Sequence, residues 1–449
     1  MSTVLNPAPR SYLPSTDAFK DGTESPRTFL ERCIETIEEH ESRIGAFVAT
    51  NFEGARAAAD ASTARWRAGA TLSLIDGMPI GIKDIMETAD MATEQGSPLF
   101  VGWRGGRDAA AVAALREAGA VIIGKTVTTE FAATEPRGTR NPWDLERTPG
   151  GSSSGSAAAV AAGMVSAALG TQVVGSILRP ASFCGCFGYK PSVGGINRGG
   201  SFDEFSQSCT GVLAASLAES WCVARAISAR AGGDPGHPGI TGPLDLPEAI
   251  KPRRIAKLET AGWEHATDEA KQALTGVIER LAGAGIEVGD RRSDKQIEAT
   301  ETEILNAMPA TRTINAWEGH WPLNTYARDM NHSKLSRPAQ ERLSHAESLT
   351  QAGYAAAITE RERVRQIYAT LQDYDVCISL SATGPAPLGL GSTGDPIFGA
   401  PSSLLGVPSL SLPVLRAEGL PLGLQLMGFA NADATMFAAA AAILQLLQR

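Results

Sequence analysis

Between residues 78 and 171 the chain repeats one short pattern, and that pattern limits the fold more than any composition figure. Met78 to Lys83 is a brief apolar run ending in a lysine. Asp108 stands where a helix N-cap belongs, the helix runs to Ala118, Gly119 ends it, and Ala120 to Gly124 is a second apolar run. Ser154 to Gly163 reads as a helix of small residues, followed by a third run from Met164 to Thr171. Strands alternating with helices over short links build crossover units. The sequence therefore predicts an α/β fold with a large mixed, mainly parallel sheet flanked by helices.

The same reading extends outward. Ser25-Pro26 opens an amphipathic helix with Phe29, Cys33, Ile34 and Ile37 at helical spacing, and Thr50 to Ala68 reads as a second helix. Gly232 to Pro243 is rich in glycine and proline and marks a boundary. Beyond it come a strand (254–259), a helix (268–284), a strand (286–289) and two long helical stretches at 294–319 and 337–373. Strands return at 375–381, 408–414 and 420–428, and a helix closes the chain from Asp433 to Gln448.

Composition excludes some partners. A formal charge of −9 argues against nucleic acid or an anionic membrane surface. The densest basic cluster, Arg361, Arg363 and Arg365, is interleaved with Glu360 and Glu362 and reads as a solvated helix face. No run of 18 apolar residues is present, and Met1 to Pro7 lacks a basic segment leading into an apolar one. The six cysteines show no dense framework, so free, mostly buried thiols in a cytoplasmic protein are expected. Cys184 and Cys186 form a lone CxC, too little for a metal site.

Three residues carry the chemistry: Lys83 in Pro79-Ile80-Gly81-Ile82-Lys83-Asp84, Ser152 in Pro149-Gly150-Gly151-Ser152-Ser153-Ser154-Gly155, and Ser176 in Gly175-Ser176-Ile177. A serine hydroxyl is a poor nucleophile until a base takes its proton. A lysine can be that base when burial keeps its amine neutral. A second serine between them can relay the proton, which gives acyl transfer without a histidine. Gly151 to Gly155 also fits the nucleophile-elbow pattern, but that elbow needs a strand before it, and Leu145 to Gly150 is a polar, proline-broken stretch.

This constellation resembles the amidase signature family, hydrolases built on a Ser-cisSer-Lys triad. Further blocks carry the resemblance: Gly124-Lys125-Thr126 to Ala132, Asn141-Pro142-Trp143-Asp144, Lys190-Pro191-Ser192, and Gly419 to Gly428 as a closing hairpin. The match is good over 75–215 and 375–449 and poor between them. It implies one amidase domain over 1–449, with 245–373 as a less family-like helical subregion. It implies Ser176 as the acyl-forming nucleophile, Ser152 as the relay behind a cis peptide bond, and Lys83 as the base. It places the oxyanion hole at the N–H groups of Val173, Val174, Gly175 and Ser176. A small-molecule amide is the implied partner, no metal or organic cofactor is required, and a homodimer stays open.

The chain departs from the family pattern at Gln172, Val174 and Leu178, where Asp, Gly and Arg are usual, and Arg179 offers an arginine one position late. Because Val174 is β-branched, the turn must avoid positive φ there. These departures bear on the substrate. They also weaken the alternative of an amidotransferase component that frees ammonia for a partner enzyme. Carbamate, urea-type or ester cleavage uses the same machinery, and a silent scaffold is the reading from another class. Phe398 to Leu405 and the Trp317–Trp321 region are candidates to line the pocket.

Overall fold

The computed structural model describes residue 5 and residues 7–203 and 205–448. Residues 1–4 and 6, part of the stretch searched for a leader, lie outside the described residues. The strands are β1 (Phe47–Thr50), β2 (Pro79–Lys83), β3 (Val121–Thr126), β4 (Ala167–Gln172), β5 (Phe187–Lys190) and β6 (Cys209–Ala214). They continue as β7 (Arg254–Lys257), β8 (Glu287–Gly289), β9 (Val376–Leu380), β10 (Ser409–Ala417) and β11 (Leu420–Met427). All join one sheet in the order β1-β3-β2-β4-β6-β5-β10-β11-β9-β7-β8.

The large mixed sheet is present, but parallel pairs are the minority. Parallel pairing is confined to β3-β2-β4 and β9-β7-β8, where helices bridge the strands. The other six neighbouring pairs are antiparallel. The crossover rhythm thus describes the two wings of the sheet, while its centre is antiparallel. One central pair, β10 and β11, closes through Glu418 and Gly419, both at positive φ, a tight turn that joins antiparallel strands.

Alternation across the pleat sorts side chains into two cores. Ile80 and Ile82 of β2, Ile122 of β3 and Leu169 of β4 enter one core with Val112, Leu115 and Trp221. Val121 and Ile123 of β3 and Ala168 of β4 enter the other, with Leu30, Ile34 and the small residues Ala157 to Ala161. That second core is capped by the helix Ser154–Ala161, every residue of which is buried. A Cβ on Gly155 would overlap Ala46 O and Val127 N, so only glycine allows this approach.

Three local expectations need correction. The helix after Asp108 begins at Ala110 with Ala109 as an N-cap lacking side-chain support. The Asp108 carboxylate instead accepts from Ala89 N–H at 2.8 Å and from Arg116 Nε at 3.0 Å. The stretch 337–373 is two helices, Arg337–Glu347 and Gln351–Ala369, because Thr350 caps the second by accepting from Gly353 N–H at 3.1 Å. Within the latter, Arg363 lies outward, but Arg361 is buried and donates to Ser206 Oγ at 2.6 Å, and Arg365 donates to Leu404 O at 2.9 Å. Residues 361 and 365 are one turn apart on the inner face, which charge interleaving alone does not reveal.

Candidate active site

Parallel neighbours finish at the same edge of a sheet, and ligands in α/β folds gather beyond such carboxyl ends. β2 pairs with β4 through Ile82 and Leu169, which brings Lys83 at the end of β2 close to Thr171 near the end of β4. Lys83 is fully buried, and its Nζ donates to Ser152 Oγ at 2.7 Å and to Thr171 Oγ1 at 2.8 Å. No carboxylate among the described residues is bonded to it. Burial pushes its pKa down to about 7, against a smaller upward pull from Asp203. A lysine is therefore poised here to be neutral near physiological pH.

Ser152 follows Gly151 through a cis peptide bond. Ser153 N–H donates to Ser176 O at 3.3 Å, which ties the glycine- and serine-rich loop to the turn after β4. That turn, residues 173–177, is built around Gln172. Its Oε1 accepts from Ile177 N–H at 2.9 Å and from Leu178 N–H at 3.1 Å, and its Nε2 donates to Ser403 Oγ at 3.2 Å. The amide thus anchors the turn as a neutral acceptor. Val174 keeps a negative φ, as a β-branched residue requires. No hydrogen bond to a described residue engages the N–H groups of Val173, Val174, Gly175 or Ser176. Gly175 sits against Pro396, where a Cβ would come within 2.9 Å.

Ser152, Thr171, Val173, Val174 and Ser176 line one cavity of about 200 Å³. Its far walls come from Asn315, Arg342 and Thr393, and Arg179 and Asp203 close it. The proposed wall residues at 398–405 and 317–321 do not line it. Phe398 is fully buried, and Trp317 and Trp321 bound a separate outer cavity of about 750 Å³. Bulk near the site misled there; large aromatic side chains mark packing as readily as pockets. Among the described residues no group of His, Cys, Asp and Glu is arranged to hold a metal. All six cysteines are free and buried. No helix among the described residues is long and apolar enough to cross a membrane.

Sequence reasoning missed Thr171, the second partner of Lys83. The available signal was its place at the end of the strand that leads to the turn holding Ser176. Arg342 gave no signal, since only the tertiary fold brings the helix 337–347 to this edge.

The sequence profile of the Amidase family matches residues 28–437. The chain belongs to this family. It is 33% identical over 459 residues to a glutamyl-tRNA(Gln) amidotransferase subunit of Anaeromyxobacter sp. (strain K), covering 92% of this chain and 91% of that one. A solved structure described as an amidase superposes with a TM-score of 0.83 at 28% identity, over 97% of this chain and 99% of the other. The peptide amidase of Stenotrophomonas maltophilia superposes with a TM-score of 0.80 at 26% identity, over 96% and 95% of the two chains. Membership of the Amidase family makes the chain an amidase-type C–N hydrolase by descent.

Proposed function

We propose that this protein hydrolyses a carboxylic amide through an acyl-enzyme, with Ser176 as nucleophile, Ser152 as proton relay and Lys83 as base. One observation carries the reading: a buried lysine amine with no bonded carboxylate, pulled toward pKa 7, 2.7 Å from the relay hydroxyl. In the neutral amine that contact runs from the Ser152 hydroxyl to the Lys83 nitrogen, while Thr171 takes one Lys83 N–H.

The steps then balance. Ser176 Oγ bonds to the carbonyl carbon while its proton passes to Ser152 and that of Ser152 passes to Lys83. The oxyanion meets the free N–H groups of Val173, Val174, Gly175 and Ser176, preorganised donors of the kind that stabilise such charge most. The C–N bond breaks as the proton returns through Ser152 to the leaving nitrogen. Water repeats the sequence, and the acid leaves. Residues 1–449 act as one unit in this reading, with the helical stretch 245–373 supplying Asn315 and Arg342 to the wall.

The test is a fluorophosphonate label read by peptide mass spectrometry, together with amine release from a panel of aliphatic, aryl and carbamate substrates. Label on Ser176 with release that depends on it is the expected result. Label on Ser153, or release that persists in Ser176→Ala, rejects the assignment.

A second reading has its own support. Curated relatives matched over nine-tenths of this chain are named as subunits of glutamyl-tRNA(Gln) amidotransferases. Against it stand Gln172, Val174 and Leu178 in the turn. Glutamine-dependent ammonia release that appears only with co-purified partners would favour that reading over a free-standing amidase.

A further inference from the structure

Two arginines face the catalytic cavity with no described carboxylate hydrogen-bonded to them. Arg179 is 4% exposed; its Nη2 donates to Gly151 O at 2.7 Å and to Thr393 Oγ1 at 3.1 Å. Its Nε and Nη1 are buried and have no hydrogen-bond partner among the described residues. Arg342 makes no hydrogen bond or ion pair with any described residue, and its Nε is likewise buried without a partner. Both side chains line the cavity that holds Ser152 and Ser176.

Nearby carboxylates are engaged elsewhere. Asp203 accepts from Ser201 Oγ at 2.7 Å and from Ser208 Oγ at 2.6 Å. Glu130 accepts from Ser97 Oγ at 2.9 Å and Ser336 N–H at 3.0 Å, and pairs with Arg137 at 3.3 Å. Asp395 lines the adjoining groove with Arg342, where its Oδ1 accepts from Ile397 N–H at 2.9 Å. A partly buried arginine elsewhere in the chain, Arg198, has its carboxylate, Asp234, at 2.6 Å. Asp395 acts on Arg179 and Glu130 on Arg342 only through their charge, without a hydrogen bond, and a buried cation that lacks a bonded partner is unfavourable. A guanidinium with open N–H groups is shaped to take a planar carboxylate.

We propose that the substrate is a short amide whose acyl chain carries a second, ionised carboxylate, held between Arg179 and Arg342. The inference rests on the amidase reading and narrows it. Arg179 lies three residues after Ser176, on the helix Leu178–Cys184, so the carboxylate sits near the acyl group that Ser176 would keep. The cavity of about 200 Å³ equals roughly six or seven water volumes, which limits the acyl part to a few carbons. Its other walls, Phe131, Phe205 and Pro396, suit the methylene carbons between the two ends.

The experiment compares succinamate with butyramide, a neutral amide of matching length, and separately measures succinate binding by calorimetry. The parent should favour succinamate at least tenfold in kcat/KM. In Arg342→Gln that ratio and the succinate affinity should each fall tenfold or more, with Arg342→Lys between. Equal use of the two amides, or a ratio and affinity unmoved in a folded Arg342→Gln, overturns the carboxylate site. If butyramide is cleaved and labelling of Ser176 is normal in that case, the amidase reading survives alone. If neither amide is cleaved but succinate binds and Arg342→Gln releases it, the anion site stands and the amidase reading falls.

Discussion

Lys83 Nζ and Ser152 Oγ lie 2.7 Å apart at the closed end of two parallel strands, and both residues are buried. In the proposed mechanism, that separation makes the protonation state of Lys83 decide whether Ser152 can give up its proton.

The pH dependence of turnover follows. Since burial lowers Lys83 to about 7, the neutral base accumulates as pH rises through that value. A plot of kcat/KM against pH should climb through a limb near 7 and stay high above it. Lys83→Ala should lose the limb and about three or more orders of magnitude in rate, in line with the loss of a positioned base and its network. Near-parental rates with the limb intact would assign the base to another group.

Stability should carry the opposite face of the same shift. The folded lysine releases its proton near 7, whereas the unfolded one holds it to 10.5, so between these values the unfolded chain binds more protons. Stability attributable to Lys83 therefore rises with pH across that window, by on the order of 5 kcal/mol at full extent. Urea midpoints of the parent and of Lys83→Met, taken from pH 6 to pH 10, should converge or cross as pH increases. Parallel curves would show that the amine is not desolvated.

Ser176→Ala removes one oxygen from a buried turn. It should abolish acyl-enzyme formation while changing the unfolding free energy by less than about 1 kcal/mol. Mass spectrometry after brief exposure to substrate checks the first half, and denaturant titration checks the second.

Thr171 holds the face of the Lys83 amine that Ser152 does not. Thr171→Val keeps the shape and removes the acceptor, so kcat should fall about 10- to 100-fold, with the pH limb displaced. Thr171→Ser should restore both. A displaced limb separates positioning of the amine from mere packing; an unmoved one would leave Thr171 a structural residue.

Gln172 satisfies two buried N–H groups of the turn with a single oxygen. Gln172→Met leaves both without an acceptor at a cost of about 1–3 kcal/mol each. The expected loss, roughly 2–6 kcal/mol by urea unfolding, should come with a larger fall in kcat than change in KM. Retained stability would mean that the turn is held by other contacts.

What was legible in the sequence was local. Lys83, Ser152 and Ser176 stand in short glycine-bearing segments whose turns are set by nearby residues, and the structure brings Lys83 and Ser152 into contact and Ser152 and Ser176 to one cavity. The parallel wings were readable because a helix must carry the chain back between such strands. The antiparallel centre was not, because pairing of β5 with β10 joins residues more than two hundred positions apart. Arg342 and Thr393 escaped for the same reason: their role depends on what lies opposite them, and an isolated arginine on an amphipathic helix looks solvated. Gln172 looked like a defect in a pattern and proved to be the anchor of the turn.

The small-residue helix Ser154–Ala161, packed so closely that Gly155 admits no side chain, follows directly on Ser152 and leaves that segment without slack. Adaptation by enlarging side chains in that segment is closed to this chain. New specificities are to be written on the cavity wall at Asn315, Arg342 and Thr393, which segments distant in sequence supply. A library confined to those positions, with 150–176 untouched, would vary recognition while leaving the reacting groups where they are.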